Sequence, residues 1–388
     1  MIQEIYSPSH GTSSLREIAP ALLERWMRDY YFNTEIDLGS SGVFSFSLQE
    51  LQEICGPSAE EMASVVFDDS RTQGSPSLRL AIARRWGNGD GETVMATHGS
   101  SEAIHLTMNA LLSPGDEVVV LDPVYQQLAS IAEHLGCELK RWTLRPDRNF
   151  APDLDSLKAV MTPRTRMVVV NFPHNPCGVS LTESEQKQLV DMVSQVGAYL
   201  VWDAAFSDLV HVGEPLVAPN NFYERAVTLG TLSKAYGLPG LRVGWLMGPP
   251  EVMRTCLHLR DYLTLHLSPL VELIAEHAIT NADRLLALRL PQVRENLDAL
   301  RNWAMEHEEW IQWVEPHGGT CAFPRLKTVE DVQAFCKELA EVHRVLLVPG
   351  SCFNIPDHVR LGFGGAPASF QEGLGRLTQL LKAKAHRR

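Results

Sequence analysis

The chain has 388 residues, with 34 lysines and arginines against 47 aspartates and glutamates, a formal net charge of −13. That excess of acid argues against a general nucleic-acid binder, which needs a basic surface to neutralise phosphates. Hydrophobic residues at 45% and charged residues at 21% suit a globular chain of two or three domains and exclude a disordered or fibrous one.

In chain order, Met1 to Ile5 show no basic run followed by an apolar stretch, so no export signal is expected. A helix is expected around Leu22 to Tyr31, with no obvious place in a large sheet. Pro76 to Trp86 repeats Leu78, Ile82 and Trp86 at helical spacing. Val94 to Thr97 is a short apolar run, Ser100 to Leu112 is helical again, and Ser113-Pro114-Gly115-Asp116 stops it. Glu117 to Leu121, Met167 to Val170, Ala198 to Trp202 and Val227 to Leu229 are short, mostly apolar runs that read as strands alternating with helices. That alternation reads as an α/β fold, a mostly parallel sheet covered on both faces. From Ser268 to Glu306 a long helical stretch is expected to break near Pro291. Short strands at Cys321 to Phe323, Val345 to Val348 and Val359 to Phe363, with a closing helix from Ser369, read as a smaller α+β unit. The expected division is a large domain over residues 45–285 and a small one built from 1–44 and 286–388. Seven widely spaced cysteines without a CxxC make neither a disulfide framework nor a zinc site, and no metal is expected. A reducing, cytoplasmic setting follows. No apolar run approaches the length that spans a bilayer.

Four features fall at strand ends, where open α/β sheets place ligands. Gly99-Ser100-Ser101-Glu102 offers backbone N–H groups and hydroxyls at a helix start, a ready phosphate site and equally an ordinary cap. Asn175, in Pro173-His174-Asn175-Pro176-Cys177-Gly178, presents an amide in what is otherwise a plain loop. Asp203 closes a buried strand, where a carboxylate wants a cationic partner or serves as a helix cap. Lys234, in Thr231-Leu232-Ser233-Lys234-Ala235-Tyr236-Gly237, is a candidate Schiff-base amine, although a lone lysine in such a loop is more often a surface residue.

The combination is more specific than its parts. Asn175 precedes Asp203 by 28 residues, Asp203 precedes Lys234 by 31, and Arg242 follows Lys234 by 8. With these spacings the chain resembles the class I/II aminotransferases, pyridoxal 5′-phosphate (PLP) enzymes of fold type I, over nearly its whole length. The resemblance implies a homodimer acting on a small amino acid, with Lys234 holding the cofactor and shuttling protons. It implies Asp203 at the pyridinium nitrogen, Asn175 at the ring oxygen and Tyr125 stacked on the ring. Ser100, Ser101, Thr231, Ser233 and Arg242 match the phosphate cup, and Arg360 the clamp for the substrate α-carboxylate.

One departure stands out: the family's Asp-x-x-Tyr is Asp203-Ala204-Ala205-Phe206 here, without the hydroxyl. Several strings are similar to a narrower group that cyclises a hydroxylated arginine. They include Ser40-Ser41-Gly42-Val43, Thr97-His98-Gly99-Ser100-Ser101-Glu102, Asp208-Leu209-Val210-His211 and Arg260-Asp261-Tyr262-Leu263-Thr264-Leu265. This resemblance implies a PLP-dependent cyclising dehydratase. A 3-hydroxyarginine would close to a six-membered ring and a 4-hydroxyarginine to a five-membered one. The alternative is an aminotransferase of a basic amino acid. Gly42, His98 and Glu102 join the substrate-site candidates on this basis. For the substrate guanidinium, which wants a carboxylate or an aromatic face, the candidates are Glu17, Glu24, Glu102 and Asp208.

Overall fold

The computed structural model describes residues 18–385; Glu17 lies outside them. Helix α1 (Leu22–Tyr30) leads into the short strand β1 (Ile36–Asp37). Helices α2 (Leu48–Cys55) and α3 (Ala59–Ala63) each start with a serine and a glutamate that satisfy one another's backbone N–H groups, at Ser47/Glu50 and Ser58/Glu61. Helix α4 (Pro76–Trp86) opens with Pro76 behind the Ser75 cap.

The centre is a seven-stranded sheet: β2 (Val94–His98), β3 (Glu117–Asp122), β4 (Glu138–Thr143), β5 (Thr165–Asn171), β6 (Tyr199–Asp203), β7 (Ala226–Thr231) and β8 (Val243–Met247). The spatial order is β2-β8-β7-β6-β5-β3-β4. All pairings are parallel except those of β8, which runs antiparallel to both β2 and β7. Six of the seven strands are wholly or almost wholly buried, because α5 (Gly99–Leu111), α6 (Gln127–His134) and α9 (Pro250–Arg260) cover one face while α4, α7 (Leu154–Val160) and α8 (Glu183–Gln195) lie on the other. The edge strand β4 carries Glu138, Lys140 and Arg141 and is largely exposed. Its mixed composition gives no apolar run in the sequence, and its charges suit a strand with one open edge.

The C-terminal part forms smaller sheets. β10 (Cys321–Ala322), β14 (Val359–Gly362) and β13 (Val348–Pro349) pair antiparallel. β1 pairs with β12 (Val345–Leu346), and β9 (Ile311–Gln312) with β11 (Arg325–Leu326). Val345 to Val348 thus serves two sheets instead of one strand. Helix α1 joins this part through the Trp26 indole, which donates to the Leu347 carbonyl at 2.8 Å.

The expected helix break at Pro291 is corrected. The interruption falls at Asn281, between α10 (Pro269–Thr280) and α11 (Ala282–Glu306), where the Asn281 side chain caps the His277 carbonyl at 3.0 Å. Pro291 lies inside α11 on its exposed side. The carbonyl it deprives of a partner, that of exposed Ala287, faces water.

Candidate active site

Strands β2, β3, β5, β6 and β7 all point the same way, so their carboxyl ends meet along one edge of the sheet. The register pairs Asn171 with Asp203 and His98 with Val243. The loops carrying Asn175, Asp203, Lys234 and the Gly99/Arg242 pair are thereby brought together, as expected of a ligand crevice in such a sheet.

Asp203 is 5% exposed. Its carboxylate accepts the Ala205 N–H at 3.0 Å. Burial dominates and pushes its pKa up to about 6, although the Ala205 N–H and the Lys234 charge pull the other way. Such a carboxylate lacks a strong cationic partner of its own. The Lys234 amine donates to Ser41 Oγ at 2.9 Å. Burial lowers its pKa, and the Arg360 guanidinium pushes in the same direction. Ser41 sits in a strap, Gly39 to Val43, that crosses the site. The Val43 N–H donates to the Lys234 carbonyl at 3.0 Å, and a Cβ on Gly42 would come within 3.1 Å of the Ser233 carbonyl oxygen. Gly42 therefore permits the close approach. Ser41 was not singled out in the sequence; the only signal was the Ser40-Ser41-Gly42-Val43 string that contains it.

Arg360, 3% exposed, projects from β14 across this strap. Its Nε and Nη2 donate to the Gly39 carbonyl at 3.2 and 2.7 Å, and its Nη1 to Asn175 Oδ1 at 3.2 Å. The Asn175 N–H in turn donates to Asn171 Oδ1 at 2.8 Å, so Asn175 is held from both sides.

At the other end Gly99 opens α5 with φ +74, and a Cβ there would stand 2.4 Å from Arg242 Nη2. Only glycine lets this guanidinium lie on the helix N-terminus. Ser100 and Ser101 occupy the same turn, with free N–H groups and the helix dipole behind them. The Thr231 hydroxyl donates to the Val243 carbonyl at 3.1 Å, and its oxygen accepts the Ser233 N–H at 3.1 Å. The Tyr125 hydroxyl donates to Glu24 Oε1 at 2.8 Å. Burial and the Glu24 charge raise the Tyr125 pKa, so the hydroxyl stays protonated. Phe206 is buried, packs near Gly319 and brings no hydroxyl to the site.

The carboxylate candidates for a guanidinium separate clearly. Glu102 is already engaged: its oxygens are taken by the buried Arg260 guanidinium at 3.2 Å, by the Thr264 hydroxyl and by the His98 N–H at 2.5 Å. Burial alone would raise its pKa, but the His98 hydrogen bond, Arg260 and Thr264 together bring it down to about 2. A carboxylate already answering one buried guanidinium is spent. Asp208 is engaged as well. It is held by the Trp86 indole at 3.1 Å and the Tyr236 hydroxyl, with Arg85 at 3.6 Å, in a cavity walled by Trp86, Trp202 and Trp245 that reaches Thr231 and Ala205. His98 is half-exposed, its Nδ1 3.2 Å from Glu102, and shapes the turn before α5. Glu24 alone of the described candidates stands at the site.

These residues fit pyridoxal phosphate. The Gly99 cradle with Arg242 and the α5 N–H groups matches a phosphate. The desolvated Asp203 carboxylate matches a protonated ring nitrogen, and the Lys234 amine, its pKa lowered by burial, matches an aldehyde.

Comparison with known proteins agrees. The profile of the family described as aminotransferase class I and II matches residues 47–377. The chain is 44% identical to capreomycidine synthase of Streptomyces vinaceus over 371 residues, 95% of each chain. It is 30% identical to an arginine–pyruvate transaminase of Pseudomonas aeruginosa over 304 residues, 75% of this chain and 76% of that one. Among solved structures, the PLP-dependent cyclase OrfR superposes with a TM-score of 0.92 at 43% identity, covering 97% of this chain and 100% of that one. A PLP-dependent aminotransferase from Streptococcus suis gives 0.90 at 27% identity, covering 95% and 98%. Across its length and in its sheet topology, this chain belongs to the aminotransferase class I and II family, as a pyridoxal phosphate-dependent enzyme of fold type I.

Proposed function

We propose that the chain is a cyclising dehydratase that converts a hydroxy-L-arginine into a cyclic guanidino amino acid, capreomycidine or enduracididine, in specialised-metabolite biosynthesis. The likeness to capreomycidine synthase over 95% of both chains carries this reading. Arg360 takes the substrate α-carboxylate through its planar fork. Lys234 would hold the cofactor covalently, Asp203 its ring nitrogen, Asn175 its ring oxygen, Tyr125 its ring face, and Arg242 with Ser100, Ser101, Ser233 and Thr231 its phosphate. Bound there, the cofactor supplies an electron sink that acidifies the substrate Cα–H. The Lys234 amine, its pKa lowered by burial and Arg360, takes the Cα proton and later returns one to that carbon. In the net reaction the substrate loses one water, and a guanidine nitrogen bonds to the carbon that bore the hydroxyl. His98 shapes the cofactor loop.

The likeness to an arginine–pyruvate transaminase supports a second reading, transfer of the amino group of a basic amino acid. Incubation with 3-hydroxy- and 4-hydroxy-L-arginine in deuterium oxide separates the two. Cyclisation yields a product lighter by one water, with deuterium at Cα and its amino nitrogen retained. A stoichiometric 2-oxo acid with pyridoxamine phosphate makes the enzyme an aminotransferase. The hydroxyarginine that reacts also gives the ring size.

The reading includes a homodimer in the cytoplasm. Phe32, Val66, Phe67 and Tyr262 are exposed at 83%, 68%, 75% and 94%, large apolar side chains that a second copy of the chain would cover. All seven cysteines are free, in keeping with a reducing compartment, and no helix among the described residues is long and apolar enough to cross a membrane. The cofactor-bearing unit is taken as 45–285 and the small unit as 1–44 with 286–388.

A further inference from the structure

Charged groups around Lys234 form a short inventory. Those that act on its amine are Arg360, Glu24 and Asp203, with the Cys321 thiol. Arg360 is the carboxylate clamp of the proposed reaction. Asp203 lies at the foot of the site, buried and matched to the ring nitrogen. Burial raises the Cys321 pKa, so the thiol is neutral. The anion left over is Glu24.

Glu24 lies in the first turn of α1 and is exposed. One of its oxygens, Oε1, takes the Tyr125 hydroxyl at 2.8 Å. Among the described residues no hydrogen bond or ion pair reaches the other. Helix α1 does not float free. Its start is clamped to the Tyr125 loop by the Leu22 N–H on Gln126 Oε1 at 2.8 Å and by Gln126 Nε2 on the Pro20 carbonyl at 2.8 Å. Its middle is pinned to the C-terminal part by Trp26 on Leu347. The helix thus bridges the two walls of the site and holds a carboxylate over the tyrosine expected to cover the cofactor.

An amino acid whose α-carboxylate sits on Arg360 has its reacting carbon at Lys234, and its side chain must leave the cofactor plane toward one wall. The other candidate acids each already answer an arginine, Glu102 the buried Arg260 and Asp208 the Arg85 guanidinium. We propose that Glu24, with its free oxygen beside Tyr125 on the clamped helix α1, is the subsite for the cationic end of the substrate side chain, selecting a guanidinium over a neutral isostere. The Tyr125 hydroxyl holds the carboxylate by one oxygen and leaves the second for two guanidinium N–H groups. The inference rests on the guanidine-substrate reading above and assigns the residue that enforces it.

The test is equilibrium binding to the PLP-loaded enzyme, followed by the change in cofactor absorbance. L-Arginine and L-citrulline are the ligands, the same shape with and without the positive charge. The variant is Glu24→Gln, which keeps an acceptor for Tyr125. Wild type is expected to bind arginine more tightly, and Glu24→Gln to weaken arginine by roughly tenfold to a hundredfold, the worth of a charge-assisted contact. Citrulline binding should change by less than about threefold, as befits a group that contributes charge and not shape. Equal weakening of both ligands would reduce Glu24 to a support for Tyr125 and overturn the proposal, as would an unchanged preference for arginine in the variant. A wild type that binds the two alike would overturn this inference and the guanidine-substrate reading together.

Discussion

Replacing Arg360 by lysine keeps the positive charge and removes the fork. In the structure three guanidinium N–H groups reach two acceptors, Gly39 O and Asn175 Oδ1, and the guanidinium lies over the Phe353 ring at 5.6 Å. A lysine ammonium is a point donor on a flexible stem and cannot serve both acceptors while facing a carboxylate in plane. Losing one charge-assisted bond to the substrate costs on the order of 1.5–3 kcal/mol, a fall of roughly tenfold to a hundredfold in kcat/KM. Leaving Gly39 O or Asn175 Oδ1 unmet in a site that is 3% exposed costs a further ~1–3 kcal/mol of stability. The assay is steady-state turnover of the reactive hydroxyarginine by wild type and Arg360→Lys, with melting measured alongside. Most of the loss should fall on KM, because the carboxylate is held equally before and during reaction. A kcat/KM within about threefold of wild type would refute the clamp.

Three further outcomes follow from the site. Lys234→Ala should abolish covalent capture of the cofactor, and borohydride reduction with peptide mapping of wild type should place the label on Lys234; a label on another lysine removes the assignment. Asp203 titrates near 6 in the folded chain against an ordinary 3.8. A raised carboxyl pKa favours the folded state below the unfolded value, and that benefit is lost as pH rises through about 6, worth roughly 3 kcal/mol. A cationic ring nitrogen offsets the loss, so the gap in melting temperature between cofactor-loaded and cofactor-free protein should widen from pH 4 to 7, and should stay level in Asp203→Asn; a level gap in wild type would unseat Asp203 as the ring partner. Gly99→Ala forces a side chain into a left-handed turn and against Arg242 Nη2, which should weaken cofactor binding by about tenfold; unchanged affinity would place the phosphate elsewhere.

The residues alone determined the architecture near the chemistry, because that part is governed by local rules. Short continuous apolar runs alternating with helices read as strands covered on both faces, and polar residues directly after them fall at the carboxyl edge. The helix from Pro76 to Trp86 carries its own serine cap and proline start. Asn175, Asp203 and Lys234 fall at or just beyond strand ends, and their spacings with Arg242 carry the family resemblance that sets all four in one crevice. The tertiary structure decided what depends on distant partners. Glu24 and Glu102 are both acids in a first helical turn, alike in sequence. One meets Tyr125 101 residues away and keeps an oxygen free, while the other meets Arg260 158 residues away and is spent. The antiparallel β8, the Ser41 contact with Lys234 and the continuous passage of α11 through Pro291 have the same origin. Each is settled by which surfaces the packed chain brings together and which backbone groups it leaves open to water, and neither is written in local spacing.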